Sequence, residues 1–231
     1  MNRCRLLLAF LSLTPLLTGL PGCSSGPISQ LIFPHVERTT HRTPKLRIEE
    51  ARQIAAQATG ENSAEQLELS NDLAHRLAAE PDPLVREVVM QSIARFDTPT
   101  VGRVLLAGLG DSDPVVRQQC CRALGTRQQT DSITALRGVI SDDEDRDVRH
   151  EAIRALGKIG SPEALQALSI PLQDHDPAMQ LVAIEAARGA TGTDLGNDAG
   201  AYLALVQGDE TAIASRPDTK TGGLRGWLKF R

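Results

Sequence analysis

Aromatic side chains are almost missing from this 231-residue chain, which has one Trp, one Tyr and four Phe. That leaves few aromatic anchors for a ligand, while the abundant Ala, Leu and Val suit closely packed helix pairs. Cysteine is scarce too: of four, only Cys120 and Cys121 lie in the body of the chain. Neighbours on a helix point apart, so a bridge between them would strain the backbone, and both fall in apolar columns as buried thiols. No basic stripe with interleaved aromatics occurs, and the formal charge is −4, which argues against nucleic acid as the main partner. Also absent are a Gly-rich phosphate loop, a Ser-His-Asp set and a carboxylate pair at pocket-like spacing. Period-two alternation and β-branched runs are lacking, so no strand is needed.

What is present is a repeat. Asp82-Pro83-Leu84-Val85-Arg86 returns as Asp113-Pro114-Val115-Val116-Arg117, then Asp145-Arg146-Asp147-Val148-Arg149, then Asp176-Pro177-Ala178-Met179-Gln180, the last residues lying 31, 32 and 31 apart. A period of this length means stacked supersecondary units, none of which buries its apolar side alone. Asp before Pro starts a helix: the carboxylate accepts from first-turn amides, and Pro needs no N–H there. Apolar columns follow at helical spacing, such as Val89, Cys120, Ala152 and Ala183, then Ile93, Leu124, Leu156 and Ala187. Breakers come next, at Thr98-Pro99, Gly125, Gly157 with Gly160, and Gly189 with Gly192. A second stripe, Leu105, Leu136 and Leu168 with Leu109, Ile140 and Leu172, predicts a second helix packed back on the first.

The stretch Asp147-Val148-Arg149-His150-Glu151-Ala152-Ile153-Arg154-Ala155-Leu156-Gly157-Lys158-Ile159-Gly160 resembles the short HEAT-like repeat of phycobilisome-lyase type, and Gln119 to Gly125 is a second copy of the phrase. The resemblance covers residues 80–206, with a more degenerate helical pair at 45–80. It implies an all-α fold, a right-handed α-solenoid of about four to five HEAT-like helical hairpins over 45–206. It also suggests a structural ladder of Asp82, Arg86, Asp113, Arg117, Asp145 and Arg149, each Arg reaching an Asp of a neighbouring unit; the alternative is capping Asp with solvated Arg. Gln180, where Arg would stand, fits an end unit. The segment Thr191 to Tyr202 resembles a closing motif in which an aromatic packs on the last repeat. Trp is common there, so Tyr202 is a departure that would weaken the cap.

Met1-Asn2-Arg3-Cys4-Arg5 followed by an apolar run from Leu6 to Leu20 is a secretory leader, too short and punctuated for a membrane span. It ends Leu20-Pro21-Gly22-Cys23, which resembles the bacterial lipoprotein cleavage box; the alternative is an ordinary signal peptide cut nearby. The expected layout is a signal peptide over 1–22, lipidation at Cys23, a tether over 23–44, the solenoid, and a tail over 207–231. Ser24 after the Cys points to the outer membrane, facing the periplasm. The tail ends with cations around Trp227 and Phe230, which would dock on headgroups or a protein, or fold back as a cap.

His150-Glu151 is the one pair that invites an enzymatic reading. Relatives resembling deoxyhypusine hydroxylase carry His-Glu in several repeats, so that opposed pairs hold two irons. Here the matching positions are Glu87-Val88, Gln118-Gln119 and Leu181-Val182, and one pair in four cannot build such a site. His150 is expected as an exposed first-turn residue, and the run Asp142 to Asp145 as a solvated turn. No catalytic residue, metal or cofactor is expected. The leading expectation is a lipid-anchored, non-catalytic scaffold in the bacterial cell envelope, holding an unknown protein partner along the concave second-helix side. Arg103, Thr134 and Gln166 fall at one equivalent outward position there, with Arg137 nearby; these and Trp227 are the candidate contacts. The alternative is a lyase-like or hydroxylase-like enzyme or accessory subunit.

Overall fold

The computed structural model describes residues 42–209; Cys23, most of the expected tether and most of the tail with Trp227 lie outside them. Within that range the chain is an α-solenoid of five helical hairpins. They are α1 (Pro44–Ala55) with α2 (Ala64–Ala78), α3 (Pro83–Ile93) with α4 (Pro99–Gly108), and α5 (Pro114–Thr126) with α6 (Ile133–Asp142). The fourth pairs α7 (Arg146–Ile159) with α8 (Pro162–Ala167) and α9 (Ser169–Leu172); the fifth pairs α10 (Pro177–Thr191) with α11 (Ala199–Gln207). Among the described residues there is no β-strand.

Each first helix starts as its phrase predicts. Asp82, Asp113, Asp145 and Asp176 cap α3, α5, α7 and α10, accepting from first-turn amides at 2.9–3.0 Å. The earliest unit carries a copy that is less plain in the sequence: Thr43 caps α1 ahead of Pro44, and Arg47 stands in the arginine position. Both apolar columns of the first helices and most of the second stripe are buried, merging into one core along the stack. Pro171 has no N–H to give the turn before it, and α8 and α9 accordingly form one interrupted second helix.

The glycines correct the expected break points. Gly160 and Gly192 do end α7 and α10 in left-handed conformation, but Gly125, Gly157 and Gly189 lie inside helices. Two of them are sites of close approach. A Cβ on Gly125 would stand 2.6 Å from Ala155 Cα, and one on Gly157 would stand 3.0 Å from Ala186 Cα. First helices of successive units therefore meet backbone to backbone, while the second helices are spread further apart. In this stretch the first helices are the closely packed layer of the stack.

The last unit ends differently. At the position of Gly125 and Gly157 it has Arg188, and among the described residues no first helix of a further unit packs there. Arg188 instead reaches into the closing loop, donating to Gly196 O at 2.7 Å and Tyr202 Oη at 3.1 Å. Tyr202 is fully buried; its hydroxyl donates to Thr193 O at 2.9 Å and accepts from Leu195 N at 3.1 Å. An indole only donates and could not make the accepting bonds, so Tyr202 strengthens this cap rather than weakening it.

Candidate functional site

The most regular polar feature is at the joints between units. Arg86 donates through Nε and Nη2 to both carboxylate oxygens of Asp111, at 2.9 and 2.7 Å. Arg117 does the same with Asp143, both bonds at 2.8 Å. Arg47 begins the series on Glu80, at 2.7 and 2.9 Å. Each guanidinium also donates backward to a main-chain carbonyl just before or at the cap of its own helix: Arg117 to Asp111 O, Arg149 to Asp143 O, Arg86 to Pro81 O.

The ladder Asp residues therefore need correcting. Asp82, Asp113 and Asp145 are occupied as caps; the acceptors across the joint are the acids two residues earlier. Those acids also accept from the cap residue's own amide, Asp113 N on Asp111 at 2.8 Å and Asp145 N on Asp143 at 2.9 Å. The column Glu80, Asp111, Asp143, Asp174 is visible in the sequence once it is sought. It shows too that the run Asp142 to Asp145 is not simply a solvated turn: Asp143 holds a joint and Asp145 caps α7. Burial, the largest single influence, pushes the Asp111 and Asp143 carboxyls up. The arginine and amide bonds together outweigh it and hold both below the ordinary carboxylate range.

Arg149 departs from the pattern. It keeps its carbonyl bonds to Asp143 and Glu144, and it makes no ion pair across the joint among the described residues. That joint carries Arg146 on Asp176 at 2.5 Å instead, a half-exposed pair. Gln180 in the last unit retains the backward half of the pattern, donating to Asp174 O at 2.7 Å.

His150 is half-buried rather than exposed, and its Nε2 is enclosed without a hydrogen-bond partner. Burial, then the Arg146 and Arg154 charges, lower its pKa. Glu151 is buried and engaged by two arginines, Arg122 at 3.2 Å and Arg154 at 3.5 Å. A carboxylate so placed is a structural counter-ion, and the pair does not fit a metal-ligand role. No group of three or more His, Cys, Asp or Glu close enough to hold a metal ion occurs among the described residues. Cys120 and Cys121 are fully buried free thiols; burial pushes Cys120 up to about 12, and Cys121 upward as well. Neither is a nucleophile in this state.

Arg103, Thr134, Arg137 and Gln166 are all exposed on the second-helix side. Arg103 borders an open groove of about 590 Å³ at the turn between helices, where Arg127 donates to Phe96 O and Asp97. Among the described residues no helix is long and apolar enough to cross a membrane.

With this geometry in view, the comparisons with known proteins are specific about architecture. Residues 102–188 match the family model described as HEAT repeats. The matched stretch, from α4 to α10, is accordingly similar to HEAT repeats in sequence as well as in its stacked hairpins. A similar curated protein is the deoxyhypusine hydroxylase of Gallus gallus, 34% identical over 105 residues, covering 45% of this chain and 34% of that protein. The chain thus spans about a third of the length of that relative.

Proposed function

We propose that this protein is a non-catalytic interaction scaffold, of the phycobilisome-lyase HEAT-like type, lipid-anchored through Cys23 in the bacterial cell envelope and facing the periplasm from the outer membrane. The observation that carries the reading is where the polar chemistry is spent. The charges paired through two bonds each, Arg47, Arg86 and Arg117 with their acids, join unit to unit, and Glu151 is tied up by two arginines. What faces solvent on the second helices is varied and unclustered, which suits a particular protein partner. Mild crosslinking and copurification from cells tests this. A reproducible partner, reduced by the combined Arg103→Glu and Arg137→Glu change, is expected, and recovery of none would end the scaffold reading. For the anchor, a Cys23→Ala chain should leave the membrane fraction and take up no labelled palmitate.

The relative named deoxyhypusine hydroxylase favours a second reading, an enzyme or accessory subunit. It requires bound metal or pigment, so elemental analysis and an absorption spectrum of the purified protein discriminate between the two. Stoichiometric metal or a visible chromophore would replace the scaffold reading.

A further inference from the structure

The exposed side of the first helices carries its own register. Five residues after each ladder position stand Arg52, Gln91, Arg122, Arg154 and Glu185, one per unit and all exposed. Glu151 lies beneath this row and holds Arg122 and Arg154 side by side from successive units. Four residues further along, Lys158 and Gly189 border a groove of about 680 Å³ between α7 and α10, whose floor includes Gly157, Ala186 and Ala190. One edge is closed by Gln128, a non-glycine residue held at φ 51°, whose Nε2 donates to Lys158 O at 3.2 Å. Glycine would adopt that backbone without cost, so the side-chain bond across the joint explains why glutamine can stand there.

We propose that this first-helix face is a second contact surface, built to receive an extended acidic segment of a partner protein. The row is cationic at the third and fourth units, where Arg122 and Arg154 share the single Glu151 carboxylate, and the groove beside it is lined by the small residues Gly157, Ala186, Gly189 and Ala190. The spacing fits as well. Packed helices lie about 8–10 Å apart, and a polyproline-II chain rises about 3.1 Å per residue with three residues per turn. A carboxylate at every third position therefore meets a new unit each time. Glu185 ends the row, so the matching end of the segment is neutral or cationic, which gives the segment a direction.

This inference rests on the scaffold reading and is tested separately from it. The full-length Cys23→Ala chain, which carries no acyl anchor, is titrated with a fluorescein-labelled peptide of Glu-Pro-Pro triplets, with a Gln-Pro-Pro peptide and phosphatidylglycerol vesicles in parallel. Binding of the acidic peptide alone, weakening with salt, is expected. Arg154→Glu should weaken it about ten-fold, and Glu185→Arg should tighten it several-fold. Gly189→Leu is the sharpest variant: a Cβ at Gly189 meets nothing within 4 Å, so the helix accepts the change while the side chain fills the groove. Its binding should be lost with the melting temperature kept or raised. No binding of the acidic peptide, binding unaltered by Gly189→Leu and Glu185→Arg, or attachment to the vesicles alone would overturn the proposal. A crosslinked partner retained by a chain that binds no acidic peptide would sink this surface and leave the scaffold standing.

Discussion

The joint between the third and fourth units and the joint between the fourth and fifth are built from the same sequence phrase and hold together differently. At the former, Gly125 lets α5 approach Ala155, and Arg117 spans the gap to Asp143 with both partners nearly buried, their side chains 11% and 7% exposed. At the latter, Gly157 and Ala186 repeat the close approach, but Arg149 has no carboxylate across the joint and the nearest ion pair, Arg146 with Asp176, is 50% and 36% exposed. The apolar approach is therefore the constant part of a joint and the ion rung the variable one. A rung buried this far is costly to break, because removing one member leaves the other charged and desolvated; an exposed pair is worth little either way.

Removing the two arginines in turn breaks the comparison most severely. Arg117→Ala strands the Asp143 carboxylate and frees the Asp111 and Ser112 carbonyls, a loss of about 2–4 kcal/mol. Arg149→Ala removes bonds to carbonyls only and should cost less than about 1 kcal/mol. Urea unfolding of both variants measures the difference, and equal costs would mean that the rung adds nothing to its joint.

Two glycines sharpen the other half of the comparison with effects of opposite sign. Gly157→Ala drives a Cβ to within 3.0 Å of the Ala186 backbone, an overpacking cost of about 1–3 kcal/mol that a gain of about 1 kcal/mol in helix propensity offsets in part. Gly189→Ala has the same propensity gain and open space around it, so it should stabilise by up to about 1 kcal/mol. Thermal melts of the pair decide this. If Gly157→Ala also stabilises, the close approach at the joint is not tight.

Much of this was legible in the chain and some was not, for identifiable reasons. The Asp-Pro phrase and the apolar columns are local signals of cap and helix face, so the hairpins and their buried residues follow from sequence. The partners of the ladder arginines do not. Asp113 and Asp111 are equally plausible acceptors by spacing, and only the fold shows that Asp113 is consumed by the α5 amides. The same limit applies to Gly125 and Gly157, which look like helix breakers until the neighbouring alanines arrive across the joint. His150 looks exposed by helical position, and it is the packing of adjacent units that encloses its Nε2. Arg188 and Tyr202 act through a loop whose path no periodicity encodes. The exposed candidates Arg103, Thr134, Arg137 and Gln166 follow from register alone, which locates a surface without saying what touches it.

Acid separates the two joints in a further and smaller way. Asp111 and Asp143 titrate below the ordinary carboxylate value of about 3.9 in the folded chain, so the unfolded chain binds more protons as the pH drops. Their contribution is complete above that ordinary value and is lost as the pH falls through the depressed folded one. In Arg117→Ala burial, which raises the pKa of Asp143, is opposed only by the Asp145 amide and the Arg149 charge, so protonation of the folded state costs less than in the parent. The variant should then be protected where the parent is penalised: the gap in urea midpoint between the two, wide near neutral pH, should narrow by about pH 3. Arg149→Ala should show a gap that hardly moves between the same two conditions, because the groups it leaves behind are carbonyls that do not titrate. A gap for Arg117→Ala that stays constant on acidification would mean that Asp143 is not held ionised by its arginine, and the ion rung would then be a packing contact in which charge has no part.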